Sequence, residues 1–150
     1  MKFLKKLYRH ILKADFAFQL LLIKVFFYSF YVRFLMLFVK YKRYEKRLGE
    51  RGKIANYTIS LEEKAYIHRI QSAVLGVSNY TPWESKCMVQ AVSAKWLLKK
   101  KNIPSTIYFG IMKDPEKSDE LKAHAWLKLG DWVITGRAGH QAFKVVNFYS

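Results

Sequence analysis

Apolar and polar positions divide the chain into three regimes. From Phe16 to Val39 the residues run FAFQLLLIKVFFYSFYVRFLMLFV, with charge only at Lys24 and Arg33. This predicts one long helix, capped by Asp15 and stopped near Gly49. The stretch GERGKIANYTIS then loosens into a predicted linker up to Ser60. In SLEE, Ser60 and Glu63 have the spacing of a capping box, and Leu61, Ala65, Ile70, Ala73 and Val74 approximate one helical face that Gly76 can end. His68 lies inside this helix and reads as a partly exposed structural histidine. A third helix follows TPWESKCMVQA. It starts either at a Thr81/Glu84 capping box with Pro82 in the first turn or close to Ser85, and runs to the cationic end Lys99, Lys100, Lys101. After Ile103 and Pro104 the pattern becomes that of strands: STIYFGIM (105–112), KAHAWLKL (122–129), DWVIT (131–135) and the closing QAFKVVNFY, with DPEKSDELK as a polar loop. The fold class is α+β, N-terminal helices followed by a helix packed on a small antiparallel sheet.

Charge separates the first regime from the rest. Residues 1–53 hold 14 Lys/Arg against Asp15, Glu45 and Glu50, a balance of +11, out of +16 for the 150-residue chain. This predicts a basic, apolar helical appendage over 1–53 and a second unit over 54–150. Cations before an apolar run imitate a signal peptide, but no small-residue cleavage site follows, so the segment is expected to stay in the mature protein. Twenty-four helical residues reach across a bilayer at ~1.5 Å each. Lys24 and Arg33 each cost roughly 2.5 to 3.5 kcal/mol near its centre, which argues against a clean span. Three readings stand: a helix covering the domain or a partner, a helix on an anionic membrane surface, and a nucleic-acid contact. The last is disfavoured because the cations alternate with Leu and Phe instead of forming a polar basic face. A single cysteine cannot make an internal disulfide, and the expected location is the cytoplasm or the inner face of its membrane.

That cysteine is the chemical question. Both versions of the third helix place Cys87 near a helix N-terminus, where free N–H groups, the helix dipole and the neighbouring Lys86 favour a thiolate. One Cys and four scattered His offer no metal-ligand spacing, and no metal or cofactor is expected. A thiol nucleophile needs a base. His124 lies in the second strand between Ala123 and Ala125, small neighbours that leave space around its ring. A helix-borne Cys facing a strand-borne His is a known way to activate sulfur.

The ordered blocks PWESKCMVQA, NIPSTIYFGIMKD and LKAHAWLKLGDWVITG resemble the stand-alone leader peptidases of lasso-peptide biosynthesis, the protease half of the split B protein. Their core is similar to that of transglutaminases, relatives of the papain-type cysteine proteases. The resemblance covers roughly residues 70–148 and implies a papain/transglutaminase-like core. It further implies a cysteine protease that removes the leader from a ribosomally made precursor, with a separate leader-binding protein and an ATP-using cyclase as partners. It also implies a Cys, His and Asp triad. Cys87 and His124 match; the acid does not. Asp131 follows His124, but a hairpin tip at Gly130 and Asp131 would set the two about 20 Å apart at ~3.3 Å per residue. A tight register puts Arg137 opposite His124, and related cores commonly carry the acid where Thr135 or Gly136 stands. Asp131, Thr135, a carbonyl or water therefore remain open as the orienting group. N–H groups at the helix start, with the Gln90 amide, are candidate oxyanion donors, and Trp83 and Trp126 candidate groove walls.

Overall fold

The computed structural model describes residues 15–117 and 120–150. The basic stretch before Asp15 and the middle of the polar loop at 118–119 lie outside the described residues. Helix α1 (Phe16–Phe38) is capped by the Asp15 carboxylate, which accepts from the Phe18 N–H, and ends at Val39 well short of Gly49. Short turns follow, α2 (Tyr41–Tyr44) and a 3-10 turn over Glu45–Leu48. Helix α3 (Leu61–Ser78) opens on the capping box of Ser60 and Glu63 in both directions, and it passes Gly76 by two residues before stopping. His68, on its exposed side, packs against Trp132 at a tilt of 54°, with ring centroids 4.4 Å apart.

Helix α4 (Cys87–Lys99) is the axis of the molecule. Eight of its residues are buried, among them Val89, Val92, Leu97 and Leu98, because α1 and α3 cover it on one side and the sheet on the other. The sheet is antiparallel in the order β3-β2-β1-β4, from β1 (Thr106–Lys113), β2 (Leu121–Leu129), β3 (Trp132–Thr135) and β4 (Lys144–Tyr149). Its helix-facing side is Ile107, Ala125, Leu127, Leu129 and Tyr149, all in one hydrophobic cluster with α3 and α4. Leu21, Val25 and Val32 of α1 belong to that same cluster. The described part of the segment expected as an appendage, 15–53, is thus packed into the core, and the boundary at residue 53 does not separate two packing units.

One buried group makes the fold pH-sensitive. Lys95 is 4% exposed, and its Nζ donates to the Ser105 carbonyl. Burial first, and the charge of Lys99 second, pushes its ammonium down from 10.5 to about 8. The unfolded chain holds this proton up to about pH 10.5 while the folded chain releases it from about 8, so between the two the unfolded state binds more protons. Stability therefore rises with pH across that window. Denaturant titrations of the native chain and of Lys95→Met from pH 7.5 to 10 should differ in slope. The native chain should gain up to roughly 3 kcal/mol relative to the variant, and parallel curves would show that Lys95 is not the titrating group.

Candidate active site

Cys87 is the first residue of α4, and the first intrahelical bond runs from the Gln90 N–H to the Lys86 carbonyl at 3.0 Å. The N–H groups of Cys87, Met88 and Val89 therefore lie ahead of the helical ladder at the positive end of the peptide dipoles. The loop leading into Cys87 is pinned from two sides. From α4, the Gln90 amide donates to the Ser85 carbonyl at 3.0 Å and to Ser78 Oγ at 3.2 Å. From α1, Arg33 pairs with Glu84 at 3.0 Å while Trp83 packs on Phe26 and Phe30, with ring centroids at 4.8 and 5.3 Å. Inside the loop Thr81 Oγ1 lies 2.8 Å from Ser85 Oγ, and Thr81 caps no helix. Lys86, expected to favour a thiolate, is itself engaged. Its ammonium pairs with Glu84 and, ahead of Arg33, holds that carboxyl below the usual carboxylate range.

His124 sits in β2 opposite Gly110 of β1. Its Nε2 lies 2.8 Å from the Gly136 carbonyl oxygen. A carbonyl only accepts, so Nε2 carries the hydrogen, and in the neutral ring Nδ1 is the nitrogen with a free lone pair. Trp126 and Phe143 flank the imidazole, with centroids at 5.9 and 5.0 Å. Gly110 makes room for them: a Cβ built there would lie 2.8 Å from Phe143 Cβ and 2.9 Å from the Trp126 ring. A glycine inside an otherwise β-branched and aromatic strand is the sequence signal for such a close approach.

Cys87 and His124 line one cavity of about 430 Å³. Its walls are otherwise almost entirely apolar or small: Met36, Met88, Phe109, Ile111, Ala123 and Ala125. Tyr41, at the start of α2, and Asn147, from β4, add the polar edge. Both are held in a network. Tyr41 donates to the Tyr149 hydroxyl at 3.1 Å, Tyr149 to Glu45 at 2.7 Å, and the Asn147 amide to Tyr149 at 2.6 Å. Burial, and after it Tyr149, raises the Tyr41 phenol well above its ordinary range, so this edge is neutral at any working pH.

Several expected site residues fall elsewhere. The Gln90 amide, expected among the oxyanion donors, is engaged with the Ser85 carbonyl and Ser78 hydroxyl. Trp83 packs against α1 and lies outside the cavity lining; Trp126 is buried behind the imidazole and stacks on Tyr108. Thr135 pairs with Leu127 on the helix-facing side of the sheet, and its hydroxyl is buried without a hydrogen-bond partner, so it does not orient His124. Asp131 is at the tip of the β2–β3 hairpin. It lines a separate depression of about 320 Å³ with Lys128, Trp132, Arg137 and His140. A bulge explains Arg137. Lys128 faces Val133 but Leu127 faces Thr135, so Ile134 is an extra residue in β3 and the tight register is lost before it reaches His124. The hydrogen-bond partner that the ring does have is the Gly136 carbonyl. Asp131→Asn should accordingly change the rate of any Cys87-dependent reaction by no more than about twofold, and a loss of several orders of magnitude would return the acid to the triad.

A family model described as the transglutaminase-like superfamily matches residues 32–147. No curated protein and no solved structure matches the chain. The family match opens within α1 and closes in β4, thereby taking in every residue that lines the cavity of Cys87 and His124. On that extent the chain belongs to the transglutaminase-like superfamily, whose members are typically cysteine peptidases or transglutaminase-type enzymes.

Proposed function

We propose that this chain is a cysteine peptidase that removes the leader from a ribosomally made lasso-peptide precursor, with Cys87 as nucleophile and His124 as proton carrier. The observation that carries the reading is the shared cavity. Cys87 at the start of α4 and His124 on β2 are both lining residues of the same apolar space. The ring itself packs among Trp126 and Phe143, on the face of β2 that alternates with the helix-facing Ala125, and Nδ1 is the ring nitrogen left without a carbonyl partner. In the proposed reaction Nδ1 takes the thiol proton and sulfur attacks the carbonyl at the end of the leader. The oxyanion that forms is held by main-chain N–H groups at the helix start. The imidazolium then gives its proton to the departing amine, leaving a thioester between Cys87 and the leader. Water, deprotonated by Nδ1, hydrolyses that thioester and regenerates the thiol.

The apolar walls offer a long leader few polar anchors, which supports delivery by a separate leader-binding protein, with ring closure left to an ATP-using cyclase. Tethering by the binding protein would raise the local precursor concentration at Cys87 without altering the chemistry. The glycine at 136, where a carboxylate is expected by resemblance, favours one competing reading, a non-catalytic basic module at a membrane surface or in an assembly. Product mass decides between them. The chain, its leader-binding partner and the precursor encoded beside them should yield a free leader and a core peptide whose masses sum to precursor plus one water. Unchanged precursor would sink the peptidase reading, and a mass gain by an amine would point to acyl transfer instead.

A further inference from the structure

We propose that α1 docks this chain flat on an anionic lipid surface, through the face it turns away from the core. The helix buries Leu21, Val25, Ser29, Val32 and Leu35, a single stripe at spacings of three and four. The opposite side of an ordinary surface helix is polar. Here it is Phe16, Ile23, Phe27, Phe30, Phe34 and Leu37, again at helical spacing, with Phe27 63% and Phe16 74% exposed. So much contiguous apolar surface marks an interaction site.

Three features identify the occupant. First, α1 is long enough to cross a bilayer, at 23 residues, yet Val25 and Val32 near its middle are 1% and 2% exposed in the common core. A span would strip these contacts and open the core, so the helix lies on a surface and does not traverse it. Second, residues 16–44 contain Lys24, Arg33, Lys40, Lys42 and Arg43 and no Asp or Glu. Lys24, Lys40, Lys42 and Arg43 are exposed and form no ion pair among the described residues; Arg33 is the one tied to Glu84. Third, nine residues at ~100° each set Lys24 and Arg33 on opposite sides of the helix, which places one at either flank of the exposed apolar stripe. That position lets the aliphatic stem of Lys24 lie along the apolar stripe while its charged head meets headgroups; the Arg33 head stays on Glu84. An aromatic wedge with a cationic rim matches the boundary between acyl chains and anionic headgroups. Nucleic acid would meet the cations but not the phenylalanines. Docking would also bear on the cavity, since Met36 and Tyr41 line it while the adjacent Leu37 and Phe38 are on the exposed apolar surface.

The test is sedimentation of the full chain with vesicles at about 0.1 M salt, where the Debye length is ~10 Å. One set of vesicles is phosphatidylcholine, and the other is phosphatidylcholine with about one-third phosphatidylglycerol. The anionic vesicles should bind more tightly by about fivefold for each exposed cation engaged. Ile23→Glu with Phe27→Glu should weaken that binding about tenfold or more. Lys24→Glu with Lys42→Glu alters only exposed cations, and it should abolish the preference for anionic vesicles even if the first variant folds poorly. Equal binding to both vesicle types overturns the proposal, as does unchanged binding by either variant. If vesicles bind nothing and light scattering shows a dimer that Ile23→Glu with Phe27→Glu dissolves, the face joins two copies of the chain and the lipid assignment is wrong.

Discussion

Replacing Cys87 by Ala is expected to abolish leader removal, with a loss on the order of 10⁴-fold or more, and to leave the thermal midpoint within a few degrees. The thiol is half-buried at the first position of α4, where alanine fits the helix and removes one sulfur from the cavity wall. His124→Ala should lose a comparable factor in rate. It also costs some stability, because the ring's bond to the Gly136 carbonyl and its contacts with Trp126 and Phe143 go with it. The decisive measurement is the double variant. If the thiol and imidazole act as one nucleophilic unit, losing both costs little more than losing either, whereas independent contributions would multiply. Alkylation of Cys87 by iodoacetamide at neutral pH should slow in His124→Ala, linking the two side chains without any substrate. Near-normal cleavage by Cys87→Ala would end the peptidase reading.

The parts of the fold that could be read in advance are those with local chemistry. Ser60 and Glu63 sit three residues apart because the cap needs that spacing, and Asp15 stands immediately before an apolar run. The four strands fall within a few residues of their expected limits because the sheet exposes a period-two pattern of β-branched and aromatic residues. Helix α1 could not be placed this way. It is apolar around its whole circumference, so periodicity does not say which side meets the core, and nothing local tells that Met36 and Tyr41 reach the cavity. The bulge in β3 was equally hidden: Val133, Ile134 and Thr135 are all β-branched, and any register of them keeps the alternation plausible. Asn147 reaches the cavity through pairing of β4 with β1, a long-range contact with no sequence signature. Gln90 has the right position near the helix start for an oxyanion donor, but two acceptors in the preceding loop claim its amide first.

Gly136→Asp is expected to damage this protein, although resemblance to a Cys, His and Asp triad would suggest a repair. Gly136 has φ +70, and a Cβ built on it would lie 2.4 Å from the Ala125 carbonyl oxygen and 2.8 Å from Trp126 Cβ. Both obstacles belong to the strand that carries His124, so no flexible side-chain end can yield. The left-handed backbone adds its own penalty for any residue with a side chain. Relief requires the chain at 136 to move away from β2, and its carbonyl then leaves His124 Nε2, which it now meets at 2.8 Å. The cost is about 3 kcal/mol, or roughly a 10 °C fall in thermal midpoint for a chain of this size, together with slower cleavage. Gly136→Ala separates the causes, since it introduces the clash without a carboxylate and should show nearly the same loss. Melting curves and cleavage rates of the two variants, measured side by side, check this. Faster cleavage by Gly136→Asp at an unchanged midpoint would mean that β3 can retreat without cost and that the site accepts an acid. In that case the Gly136 carbonyl is a replaceable partner for the imidazole, and the close packing of residue 136 on β2 is not what sets the ring.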